Sequence, residues 1–139
     1  MTLKGKGSYV LIIKLPIEQT ITIGKYKTIR FPAGDYAYVG SAMGGFQARL
    51  NRHRRQNKKL HWHIDYLLQR ATISDIILCE SRERTECIIA QALSRQFEAI
   101  PGFGSSDCKC HSHLFFTAGA IKPAILTILH SLGTMPGLA

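Results

Sequence analysis

Tyr38-Val39-Gly40-Ser41-Ala42 decides how this chain is read. Tyr38 and Val39 are strand formers, and Gly40 can take backbone angles that a side chain forbids, so the five residues predict a strand end running into a loop. A helix is expected beyond them, over about residues 45–57, with Phe46 and Leu50 at buried spacing. Arg49 and His53 lie one turn apart on that helix and share a face. A tyrosine, an arginine and a histidine gathered near a strand end can hold a phosphate and move a proton, and one carboxylate arriving from elsewhere, such as Glu86, could hold a divalent metal.

Working outward, residues 7–15 read as a first strand ended by Pro16. Residues 20–23 and 27–31 predict a hairpin turning near Gly24, and residues 32–35 a turn before a strand at 36–39. Downstream the pattern predicts a helix over 62–70 with Ile64, Leu67 and Leu68 inward, then a strand over 73–79. Residues 83–99 read as the clearest helix, with Ile88, Ile89, Ala92, Leu93 and Phe97 on one stripe. A loop over 101–113, a short strand at 114–117 and a helix over 123–132 closed by Gly133 complete the chain. The expected fold is α/β of the α+β kind, a small, mostly antiparallel central sheet flanked by helices.

The length of 139 residues fits one domain, with a core over about 7–100 and a Cys/His loop plus C-terminal helix over 101–139. The formal net charge of +9 predicts a polyanionic partner. Six cations and no acid lie between Arg49 and Lys59, so Arg52, Arg54, Arg55, Lys58 and Lys59 are candidate nucleic-acid contacts. Each phosphate neutralised steepens the salt dependence of binding by about 0.9 in log–log slope. The apolar run at 9–13 is too short for a secretory signal, and the uncharged run at 123–139 falls short of the roughly 20 residues that span a bilayer. A soluble cytoplasmic protein without membrane contact is expected, its four cysteines reduced or metal-bound.

Gly7-Ser8-Tyr9 on the first strand, Tyr38-Val39-Gly40 on a later one, Arg49 in the next helix and Glu86 in a further one resemble the GIY-YIG nuclease domain over residues 7 to 100. The resemblance implies a metal-dependent endonuclease that hydrolyses DNA phosphodiesters and leaves a 5′-phosphate and a 3′-hydroxyl. It implies that Arg49 clamps the scissile phosphate and that Glu86 coordinates one Mg²⁺ or Mn²⁺. Tyr9 would take a proton from the attacking water, Tyr38 would order that water or the phosphate, and His53 would assist proton transfer. Gly7 and Gly40 are structural positions. Glu83 competes with Glu86, and Glu86 is preferred because Cys87, Ile88 and Ile89 then fall on the buried stretch. The chain departs from the family at Ser8, where an apolar residue is usual, and in the 28 residues between Tyr9 and Tyr38, which the added hairpin explains. With no separate target-recognition domain in the sequence, damaged or branched DNA is the expected substrate, with a DNA-repair enzyme as a candidate partner.

Cys108-Lys109-Cys110-His111-Ser112-His113 places two thiols and two imidazoles within six residues. Those are ligands that Zn²⁺ prefers, so Cys108, Cys110, His111 and His113 are candidate zinc ligands. Four ligands from one hexapeptide are cramped, and a site using some of them with Cys79 or Cys87 is an alternative. Without metal the stretch reads as a loop docked over the nuclease-like face and turned by Asp107, or as a source of active-site groups beside His61 or His63. Two other functions stay open: a non-catalytic nucleic-acid-binding accessory module, and a zinc-stabilised interaction domain.

Overall fold

Strand β1 (Gly7–Leu15) organises the molecule, and eight of its nine residues are buried. Its apolar run is nearly continuous rather than alternating because both of its faces are covered. The computed structural model describes residues 4–105 and 108–139, so Asp107 lies outside the described residues. Antiparallel β4 (Gly34–Ala42) and β5 (Thr72–Glu80) flank β1. Beyond β4 come β7 (Leu114–Thr117) and β6 (Glu98–Ala99), and β8 (Gly137–Leu138) pairs with β5, giving the order β6-β7-β4-β1-β5-β8. The fold is α+β.

Successive residues of β1 feed opposite layers. Tyr9, Leu11, Ile13 and Leu15 pack with α1 (Phe46–Arg54), α2 (His63–Leu67) and the hairpin of β2 (Gln19–Ile23) and β3 (Lys27–Phe31). Val10 and Ile12 pack with α3 (Glu86–Ser94) and α4 (Lys122–Ser131) on the other face. The hairpin forms a small sheet of its own, and the Tyr26 hydroxyl near its turn donates to the Pro101 carbonyl at 3.1 Å. No helix among the described residues is long and apolar enough to cross a membrane.

Helix α1 shows which effect wins locally. It carries Arg49, Arg52 and Arg54 with no acid in its first turn. Like charges one turn apart cost a few tenths of a kcal/mol each. Burying Phe46 and Leu50, at 1% and 0% exposure, contributes about 1.5–3 kcal/mol apiece. Packing therefore holds a helix that charge alone would weaken.

Three helices are shorter than expected. Helix α1 stops at Arg54, and α2 is a single short piece. The helix expected over 83–99 runs only from Glu86 to Ser94, because Glu98 and Ala99 leave it to pair with Phe116 and Phe115 at the sheet edge. Ile88, expected inward, is 57% exposed, while Ile89, Ala92 and Leu93 are buried.

Candidate active site

Gly40 does not end its strand, which continues to Ala42, and its backbone is not left-handed. Its role is to be bare. Tyr9 is its cross-strand partner, and a Cβ at position 40 would lie 2.3 Å from Tyr9 Cζ and 2.4 Å from its hydroxyl oxygen. The Tyr9 ring crosses β4 through that gap, and its hydroxyl meets His53 Nε2 at 2.5 Å. Gly7 combines both constraints, with φ of 148° and a would-be Cβ 2.2 Å from the Cys79 carbonyl oxygen. Gly40→Ala is expected to destabilise the fold by about 1–3 kcal/mol by displacing the Tyr9 ring, read as a lower urea midpoint. An unchanged midpoint would mean that the ring has other room.

Beside this pair lies a cleft of about 810 Å³ lined by Tyr38, Arg49, Trp62 and Glu86, with Cys87, Cys108 and His113 at its side. His61 and His63 also line it. The Arg49 guanidinium lies 4.4 Å from the Trp62 ring centroid, and that of Arg52 lies 3.9 Å away. Such stacking fixes a planar cation while leaving its N–H edge free for anions. Arg49 makes no ion pair among the described residues. Glu86 opens α3 and is 22% exposed, whereas Glu83 lies outside the helix on the surface.

Burial dominates the proton chemistry. It raises the Tyr9 hydroxyl well above the usual tyrosine range, with Tyr38 adding to it and Arg49 pulling back. Tyr38 is also raised, first by burial and then by Glu86. Both are phenols in the resting protein. His53 is pushed down to about 3 by burial and by Lys58, Arg49 and Arg52, against Asp65, so it is a neutral imidazole. Its Nδ1 is buried without a partner among the described residues, which an imidazolium could not tolerate.

A stability prediction follows from that depressed value. The unfolded chain takes up this proton near 6.5, and the folded protein resists it until about 3. The contribution is therefore fully present above about pH 6.5 and is lost as pH falls toward 3, on the order of 4–5 kcal/mol in all. His53→Gln should flatten the loss of urea midpoint between pH 6.5 and 4 relative to the wild type. Parallel curves would contradict the buried neutral imidazole.

The basic segment divides in two. Arg54, Arg55 and Lys59 are exposed. Arg52 and Lys58, expected on the nucleic acid, pair with buried Asp65. Arg52 donates to both of its oxygens at 2.8 and 2.7 Å, and Lys58 Nζ lies 3.9 Å away with its side chain 6% exposed. The His61 and Trp62 backbone N–H groups also donate to Asp65, both at 2.9 Å. Burial alone would raise this carboxyl, but the Arg52 and backbone hydrogen bonds outweigh it and hold it below the ordinary range. Asp65 is the sole acid between Arg49 and Arg70, and a lone carboxylate among cations is the sequence signal for such a pair.

The cysteines form a second centre on the cleft wall. Ligand atoms of Cys87, Cys108, Cys110 and His113 all lie within 4.8 Å of one another. Tetrahedral zinc with bonds near 2.3 Å separates its ligands by roughly 3.8 Å, so the set fits. Burial, then the neighbouring Cys87 and Cys108, push the Cys110 thiol up to about 12, and three thiols this close need a cation to ionise together. This Cys₃His cluster can hold a metal ion such as zinc.

The expected ligand set is corrected at one member. His111 is exposed and outside the cluster, and Cys87 from α3 takes its place. A hexapeptide cannot wrap a tetrahedral ion by itself, so a second element supplies the fourth corner. Cys79 is buried in the core, away from this group, its thiol pushed up to about 11 by burial. The Gly104 N–H donates to His63 Nδ1 at 2.9 Å, docking the Cys/His loop on α2. Ser8 is accounted for as well: its hydroxyl shares a 2.8 Å hydrogen bond with that of Thr85, the residue before Glu86.

No curated protein and no solved structure matches the chain. A family model described as a domain of unknown function, DUF123, matches residues 8–134. That span holds both motif strands, the cleft and all four cluster ligands, and the chain belongs to the DUF123 family.

Proposed function

We propose that this protein is a GIY-YIG-like, metal-dependent endonuclease that hydrolyses DNA phosphodiesters. The observation carrying the reading is that Arg49 of α1 and Glu86 of α3, from opposite layers of the sheet, line one cleft with Tyr38. A stacked guanidinium without an ion pair, facing a carboxylate across a cleft, suits a phosphate and a hard divalent cation together.

In this reading Arg49 holds two oxygens of the scissile phosphate and offsets the charge that builds there during attack by water. Glu86 binds one Mg²⁺ or Mn²⁺, an ion that keeps most of its waters and so needs few protein ligands. When bound, that ion neutralises phosphate charge and makes nearby water more acidic. Tyr38 presents a neutral hydroxyl to the cleft, and the Tyr9 hydroxyl, oriented by His53 Nε2, is buried beside it. Because burial keeps the Tyr9 proton in place, Tyr9 acts as a base only once cationic charge fills the cleft. Arg54, Arg55 and Lys59 extend a cationic rim that grips backbone rather than bases, which suits recognition of DNA by structure, as in repair or processing of branched DNA. The Cys₃His centre binds zinc and takes no part in the hydrolysis, since four protein ligands leave no open position.

The test is the chemistry of the ends. Plasmid DNA incubated with the protein and Mg²⁺ should be cut to give 5′-phosphate and 3′-hydroxyl termini, detected by direct ligation of the products. Termini carrying a 3′-phosphate would contradict the reading.

A further inference from the structure

Three successive residues open α3, and each is tied to a different part of the molecule. Thr85 is bound to Ser8 on β1, Cys87 belongs to the Cys₃His cluster, and Glu86 stands between them. Among the described residues, no side-chain hydrogen bond caps this helix start. The carboxylate of Glu86 has two neighbours within 4 Å: Arg84 Nη1, 3.8 Å from Oε1, and the imidazole of His113, whose Nδ1 lies 3.8 Å from Oε2. The opposite nitrogen of His113, Nε2, lies 3.3 Å from Cys108 Sγ. One imidazole therefore spans the cluster and the carboxylate.

We propose that a zinc ion held by Cys87, Cys108, Cys110 and His113 positions Glu86 for a separate Mg²⁺ or Mn²⁺, acting through the imidazole of His113 and the helix start at Cys87. The proposal rests on the nuclease reading. Zinc on Nε2 occupies that lone pair, so the single proton of a neutral imidazole must sit on Nδ1, facing Glu86 Oε2. Without zinc the proton can sit on either nitrogen, and the carboxylate loses a fixed partner. Such outer partners typically change metal affinity 10- to 100-fold. Charge is a separate contribution: three thiolates around Zn²⁺ leave the centre one unit negative, and the four thiolates of a His113→Cys centre would favour a cation still more, so weaker Mn²⁺ binding in that variant reports the imidazole alone. Soft thiolates select zinc, while a lone carboxylate with waters selects Mg²⁺ or Mn²⁺, so the two ions do not compete. His113 is on this account a positioning residue, touching neither phosphate nor water.

The experiment measures metals, without DNA, on the full chain. Zinc content is taken by elemental analysis and Mn²⁺ affinity by electron paramagnetic resonance of the free ion, for wild type, His113→Cys and Glu86→Gln. The wild type should carry one zinc per chain. His113→Cys should keep it, because a fourth thiolate completes the tetrahedron, yet bind Mn²⁺ about tenfold or more weakly. Glu86→Gln should lose Mn²⁺ binding and keep zinc. Wild type stripped of zinc by a chelator, at a temperature where circular dichroism shows it folded, serves as the second measurement, with the same weakening expected if His113→Cys does not fold. Unchanged Mn²⁺ affinity in zinc-loaded His113→Cys or in the stripped wild type overturns the link and leaves the nuclease reading standing. A wild type that takes up no zinc overturns the proposal likewise. If zinc-loaded wild type binds no Mn²⁺, the nuclease reading falls and this proposal with it.

Discussion

Arg49→Ala should lower kcat/KM for DNA cleavage by about a thousandfold while leaving the folded protein nearly as stable as before. The size follows from removing a donor aimed at charge that exists only in the transition state, which typically costs 10²- to 10³-fold. The small stability effect follows from position. Arg49 is half-buried and makes no ion pair among the described residues, and its stacking on Trp62 is worth about 0.5–2 kcal/mol. Arg49→Lys should recover little, because an ammonium binds phosphate as a point rather than as a fork. Single-turnover cleavage beside urea unfolding separates the two quantities. Activity that falls only as far as stability does would reduce Arg49 to a packing residue.

The second large effect concerns Cys110. Cys110→Ser should release the metal from the Cys₃His centre and remove a substantial share of the folding free energy. Structural zinc sites carry on the order of 10 kcal/mol of apparent binding free energy, against a total of about 5–15 kcal/mol for a typical domain. The described residues of 101–113 are otherwise held by the buried Phe103 ring, by the Gly104–His63 and Tyr26–Pro101 hydrogen bonds and by the backbone bonds around Phe103. The six-stranded sheet has its own two-sided core and should persist longest. The expected result is near-complete loss of zinc by elemental analysis and a large drop in thermal midpoint. Cys79→Ala, in a buried apolar setting, should leave zinc content unchanged. Equal zinc content in wild type and Cys110→Ser would contradict the ligand assignment.

Much of the sheet was legible because β1 and the hairpin strands carry apolar runs bounded by Pro and Gly, and tertiary context did not have to override them. The bounds expected for β1 and β3, residues 7–15 and 27–31, are those observed. The helix at 83–99 was overestimated for a physical reason: residues 95–99 have helical spacing, but the unpaired edge of β7 draws Glu98 and Ala99 into a strand. The reason position 40 is a glycine is not legible in the sequence. Turn chemistry suggested an unusual backbone, whereas the requirement is space for the Tyr9 ring, a contact between residues far apart in sequence. Charge counting along a helix does not reveal that Arg52 and Lys58 also pair with a buried acid, Asp65. Cys87 could be no more than an alternative partner, since only the fold brings the start of α3 against the Cys/His loop.

The most direct measurement incubates wild type, Glu86→Gln and Tyr9→Phe with Mg²⁺ or Mn²⁺ and single-stranded, duplex, nicked and branched DNA. The account predicts that wild type cuts at least one of these, structured DNA foremost, and that both variants bind the same DNA without cutting it. Cleavage that survives in the two variants, or DNA binding by wild type with no cleavage of any substrate, would contradict it.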